Sequence, residues 1–318
     1  MFEPVIRMAI TLLILACAFA APRAVVETAD RGAWITLAPM PSARQEVSSA
    51  ALNGKIYVIA GFDSSGTSTN TVEVYDPTTN AWTRAAPLPI ATNHNAAAVA
   101  GGRLYAFGGT ANRTFVYNPQ QDTWGEVAPM RLAHGSSPAV AVIQDHIYVA
   151  GGTSARGVTL NDLKVYDPVR NSWSTLASMA VPRNHTAGGA INGKFYVAGG
   201  RGSIAASTAL EVYDPQANSW TRLAPMPTGR SGIGAGVVNG ELYVFGGEGE
   251  RVFDEVEVYN PMENRWRQLS PMRTPRHGLF ASVIANRIYL PGGATRPGYG
   301  ATNSNEVFVV DTAANPLR

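Results

Sequence analysis

The sequence predicts an all-β protein, a propeller of six four-stranded blades, and three observations carry that expectation. The first is a stretch said five times: "EVYDPTTNAW" ending at Trp82, "FVYNPQQDTW" at Trp124, "KVYDPVRNSW" at Trp173, "EVYDPQANSW" at Trp220 and "EVYNPMENRW" at Trp266. The second is a tyrosine leading into glycine six times, as in "LYAFGG" at Tyr105 or "FYVAGG" at Tyr196, with spacings of 48, 43, 48, 47 and 46 residues from Tyr57 to Tyr289. The third is that no helical period competes after residue 30, while alternating apolar runs bounded by turn residues recur throughout. Self-similarity at this period signals stacked units, each too small to bury its own faces.

The elements follow in order. Residues 1–20 carry Arg7, an apolar run from Met8 to Ala16 and "AFA" before Ala21. That is the pattern of a secretory signal peptide, and the run is too short to span a membrane. Cleavage after Ala20 is expected, so the mature chain is exported to the periplasm, cell surface or medium with no transmembrane segment. Acylation and retention of Cys17 is the less favoured alternative. Residues 21–32 read as a short linker, and residues 33–318 as the propeller.

Within each repeat, a strand rich in small residues (a) turns into the tyrosine strand (b), through Asn-Gly at 53–54, 192–193 and 239–240. A variable loop leads to the "VEVYDP" strand (c), where Asp-Pro supplies a turn, and then to the tryptophan strand (d). Small residues suit strand a because innermost strands crowd the axis. The sixth copy, "NEVFVVDTAAN", stops where a tryptophan is due, while "AWITLAPMP" at 33–41 is a tryptophan strand with nothing before it. The N-terminal strand therefore completes the last blade, which removes an open edge.

Gly-Gly, then "VYDP", then Trp, with Arg ahead of strand a, closely resembles the kelch motif, and the resemblance covers residues 33–311. It implies a six-bladed kelch propeller. It implies little about activity, because such propellers include scaffolds, peptide-binding domains and a few enzymes. Ala60-Gly61 in place of Gly-Gly, and Val310 in place of Tyr, are local departures.

Composition narrows the function. A net charge of +2, without a long basic run, excludes a nucleic-acid partner. Cys17 is the only cysteine and lies in the signal peptide, so the mature chain has no thiolate ligand. That also excludes the copper-radical oxidases built on this propeller, whose cofactor needs a cysteine-tyrosine link.

Thirteen residues before the strand-b tyrosines lie Arg44, Thr92, Arg183, Arg230 and Arg276; within two positions follow Glu46, His94, His185 and His277, and the shifted third repeat offers His134. One repeat phase places these residues at the inner end of one face, among the d-to-a and b-to-c loops. The expected ligand-binding set is therefore Arg44, His94, His134, Arg183, His185, Arg230, Arg276, His277 and Glu248, with positive potential focused at a concave mouth. No metal site and no cofactor are expected, because the histidines come from separate repeats without paired spacing.

The expected function is an exported, monomeric binding module for a protein or carbohydrate ligand. Two alternatives stand beside it. Glu248 after a strand-b glycine, with Arg251 nearby, is distantly similar to the kelch-type sialic-acid epimerases, which implies an acid/base carboxylate and an arginine on the sugar carboxylate. The other is a structural envelope scaffold binding through its sides.

Overall fold

The structure is a computed structural model and describes residues 1, 32–131, 134–202 and 205–311. Most of the signal segment and linker, residues 2–31, lies outside that range, as do 312–318. Six antiparallel four-stranded sheets form the blades. Blades 1 to 5 are consecutive in sequence and occupy residues 48–85, 95–127, 139–176, 187–222 and 234–269. Blade 6 takes strands a to c from 282–310 and its outer strand from the N-terminal Gly32–Thr36, which pairs antiparallel with Asn305–Val310, Trp34 opposite Phe308. The closure begins one residue earlier than the tryptophan-strand pattern indicates. No helix occurs among the described residues, and thus none long and apolar enough to cross a membrane.

The core is six seams rather than one centre. Ala50, Tyr57 and Val74 of blade 1 pack with Ala97, Leu104 and Phe115 of blade 2, and equivalent clusters fill every other seam, including blade 6 against blade 1 through Val307, Tyr289, Val58 and Tyr75. Each blade thus buries its faces only against its neighbours. The a strands line the axis, and they approach closely. A Cβ added at Gly189 would come within 2.5 Å of Val237 of the next blade.

Hydrogen bonds lace the seams at two radii. At the outside, each tryptophan indole donates to the carbonyl where the preceding blade ends: Trp82 to Ala38, Trp124 to Ala86, Trp173 to Ala128, Trp220 to Ala177, Trp266 to Ala224 and Trp34 to Ser270. This is why the motif needs tryptophan: the ring fills the wide outer seam and its N–H finds a partner. At the axis, six backbone bonds run from blade to blade around a circle, through one residue in four blades and two adjacent residues in blades 3 and 6. His94 N donates to Glu46 O, Ser137 N to His94 O, His185 N to Ser136 O, Gly232 N to His185 O, Leu279 N to Gly232 O and Glu46 N to Gly278 O.

Candidate functional site

That axial circle positions the site. In it Glu46, His94, Ser136, Ser137, His185, Gly232 and Gly278 have positive φ, between 49° and 64°. Glycine takes this conformation without strain, as in blades 5 and 6. A glutamate and two histidines there cost free energy, and such residues persist where their side chains are needed or firmly held. The left-handed turn aims each side chain at the axis. Gly278 leaves room for one of them, since a Cβ there would lie 2.7 Å from Glu46 Oε1.

The arginine ring expected at the mouth is not formed. Arg44, Arg183, Arg230 and Arg276 are 0% exposed, and each guanidinium turns down into its own blade. Arg183 donates to Gly199 O and Ala209 O (both 2.9 Å) and pairs with Glu211 at 2.8 Å. The other three do the same with Glu73, Glu257 and Glu306 at 2.7–2.8 Å. Each positive charge meets a buried carboxylate, so these arginines neither line the mouth nor focus positive potential there. They are struts holding strand c to the turn before strand a.

His134 belongs with them. It is 0% exposed and its Nδ1 donates to Gly151 O at 2.7 Å, the carbonyl equivalent to Gly199 O. It replaces the strut arginine of blade 3, where Lys164 stands in place of the glutamate; in blade 2 the pair is Thr92 and Phe115. Arginine and glutamate are kept together or lost together, because either alone would be an unpaired buried charge.

The histidines do converge. His94 Nε2 lies 3.3 Å from Glu46 Oε2, and His277 Nδ1 lies 3.7 Å from Glu46 Oε1. The rings of His94 and His185 meet edge to face at 4.9 Å. Ligand atoms of Glu46, His94 and His185 all lie within 4.8 Å of one another. The absence of paired spacing is therefore no argument against a metal, because the ring gathers single residues from separate blades.

Burial would raise the Glu46 carboxyl, but His94 and His277 beside it hold it well below the usual range, so it stays ionised. Burial pushes His185 down to about 3, which keeps its imidazole neutral. His277 is opposed by burial yet held above its ordinary value by Glu46 and Glu248.

Glu248 reaches the same mouth from the b-to-c loop of blade 5, at 3.5 Å from His277 Nε2. Its arginine partner is Arg201, at 2.6 Å. Arg251 instead pairs with Asp254 and Glu255 and stacks on Phe253, so the expected Glu248–Arg251 couple is not assembled. Arg201 also donates to His185 Nε2 at 3.1 Å. Sequence reasoning did not single out Arg201, Ser137 or Asn93, and it read Asn184 only as part of the sequon Asn184-His-Thr overlapping the site. A signal existed in the repeated Asn-His of "TNHN" and "RNHT": Asn93 Oδ1 accepts from His94 Nδ1, and Asn184 Oδ1 from His185 Nδ1.

One wall of the mouth is aromatic. Tyr299, on the longest b-to-c loop, is 63% exposed and packs on Phe62 at 5.6 Å, which packs on His94 at 5.5 Å. Gln45 pins that loop through Gly298 O and Gly300 N, and Gly298 N donates to Glu248 of the neighbouring blade at 3.3 Å.

Comparison with known proteins agrees with this architecture. Residues 125–293 match the family model of the KLHDC2/KLHL20/DRC7 Kelch-repeats domain, and residues 43–89 and 91–131 match the Kelch motif. Among solved structures, that of YjhT superposes with a TM-score of 0.76 at 18% identity, over 87% of this chain and 98% of the other, which is a likeness of fold. No curated protein sequence matches the chain.

Proposed function

The chain belongs to the kelch-repeat family, and on that premise we propose that it is an exported binding module whose protein or carbohydrate ligand enters the axial mouth. The observation that carries this reading is the continuous aromatic wall from exposed Tyr299 through Phe62 to His94, standing over a floor of Glu46, His185, Arg201 and Glu248. An apolar face beside a few convergent polar groups is the chemistry by which sugar rings and peptide side chains are held. Neutralisation of the four strut arginines removes the case for an anion-selective mouth. Export rests on Arg7, the apolar run and "AFA".

The test screens the mature chain on a glycan array and a displayed-peptide library, beside Tyr299→Ala and Arg201→Ala. The expected ligand loses affinity by about tenfold in both variants, each change being worth about 1.4 kcal/mol, at an unchanged melting temperature. A ligand held equally by both variants would move binding to the blade sides and support a scaffold.

One observation favours a second reading, a sugar epimerase. Glu248 lies beside the Arg201 guanidinium, so a carboxylate for proton transfer and a cation for a sugar acid stand together. Exchange of sialic-acid anomers followed by NMR tests it. An epimerase exceeds the buffer rate and loses about 10²–10⁴-fold in Glu248→Gln, whereas a binder shows only the buffer rate.

A further inference from the structure

Among the described residues five glutamates are buried, and four of them face a strut arginine. Glu46 is the fifth. It is 3% exposed, and its partners are two imidazoles and the Ser137 hydroxyl, which donates to Oε2 at 3.2 Å. A buried carboxylate needs a cation or a proton. The imidazoles around it are set to share a cation. His94 and His185 each donate Nδ1–H to the amide oxygen of the preceding asparagine. Those amides are themselves oriented, by Asn93 Nδ2 donating to Ser68 Oγ at 2.7 Å and Asn184 Nδ2 to Thr159 Oγ1 at 2.9 Å. Both rings are thereby held with Nε2 as the nitrogen left for a ligand, that of His94 facing Glu46 and that of His185 meeting Arg201, the arrangement in which an outer oxygen holds a ligating histidine. His94 Nε2 lies 3.3 Å from a carboxylate oxygen of Glu46, close enough for the two to share one cation.

We propose that Glu46, His94 and His185 form a binding site for one divalent first-row transition-metal ion, with zinc as the fitting member. Two imidazole nitrogens and one carboxylate oxygen are a donor set for zinc rather than for calcium or magnesium. Zinc bonds of about 2.0–2.2 Å put ligand atoms about 3.3 Å apart in a tetrahedron, the spacing found between His94 and Glu46. His185 stands further off, within 4.8 Å, because Arg201 occupies its Nε2 at 3.1 Å. The Arg201 side chain is 37% exposed and already paired with Glu248, so it can turn toward that carboxylate and release the nitrogen. Arg201 is thus a resident cation competing with the metal. His277, donating Nε2–H to Arg296 O at 2.8 Å and approaching Glu46 Oε1 from the other side, positions the carboxylate. The inference holds whichever ligand the mouth takes.

The experiment titrates zinc chloride into chelator-stripped mature protein by calorimetry, with cobalt(II) absorption reporting the ligand set. One equivalent is expected. His94→Ala and His185→Ala should each weaken binding by about 100-fold or more, and cobalt absorption should change with them. Arg201→Ala should tighten binding by about tenfold, because it removes one nearby positive charge; a role for Arg201 in merely filling space predicts no gain. His146→Asn, changing an exposed histidine 3.7 Å from Asp167 on the opposite face, should change nothing. Should His185→Ala fail to fold by circular dichroism, partly exposed His94 and Arg201 decide the matter. Absence of a zinc equivalent at micromolar concentration, or an equivalent indifferent to both His94→Ala and Arg201→Ala, overturns the site.

Discussion

Replacing Arg230 with methionine tests the strut assignment directly. The guanidinium donates Nη1 to Gly246 O (2.5 Å) and Glu255 O (3.0 Å), and Nη2 to Glu257 Oε2 (2.7 Å), at 0% exposure. Glu255 O also accepts from Gly246 N at 3.0 Å, so the loss strands the Gly246 carbonyl and the Glu257 carboxylate. Breaking a buried ion pair from one side costs about 3–5 kcal/mol, and one stranded carbonyl about 1–3 kcal/mol. Arg230→Met should therefore lose about 4–8 kcal/mol. Arg230→Lys keeps a charge near Glu257 but cannot fork, so it should lose only the carbonyl share of about 1–3 kcal/mol. Adding Glu257→Leu to Arg230→Met removes the orphaned charge and should restore most of the ion-pair share. Urea unfolding followed by tryptophan fluorescence measures all four proteins, with stability read from midpoints at constant m. A methionine variant within about 1 kcal/mol of wild type would refute the strut, and a simultaneous loss of ligand would return Arg230 to the mouth.

Trp34→Ala should destabilise by about 3–5 kcal/mol, because the indole packs on Phe245 and Phe308 and bonds Ser270 O. Light scattering should show association through the loosened edge, and an unchanged melting temperature would contradict closure by the N-terminal strand. Stability should fall on acidification through His134, which burial pushes from 6.5 down to about 4. Between those values the unfolded chain holds the extra proton, so stability is full above about pH 6.5 and is lost toward pH 4, by about 2 kcal/mol at about pH 5. His134→Gln should flatten that slope in urea titrations, leaving the part due to His185; an unchanged slope would exclude His134 as its source. Intact mass from an envelope fraction should correspond to a chain starting at Ala21; a cytoplasmic, uncleaved product would exclude export, and a lipid adduct on Cys17 would select the anchored form.

The blades, their number and the closure were legible along the chain. Tyr-x-x-Gly-Gly, Val-Tyr-Asp-Pro and Trp act on strands a few residues away, so a local pattern carries them. A tryptophan strand without a repeat at one end and a repeat without one at the other left a single way to close the ring. The chain also held the Arg44/Glu73, Arg183/Glu211, Arg230/Glu257 and Arg276/Glu306 couples, matched by the joint departures at Thr92/Phe115 and His134/Lys164. Repeat phase alone could not say which way those arginines point. Tertiary structure decided that: Arg183 turns inward to Glu211, while His185, two residues on and at φ 52°, turns to the axis. It also decided the site's membership. Glu46, His94, His185, Arg201 and Glu248 come from four blades and meet only because the closed ring brings residues from distant repeats to one axis, and no spacing along the chain encodes that meeting.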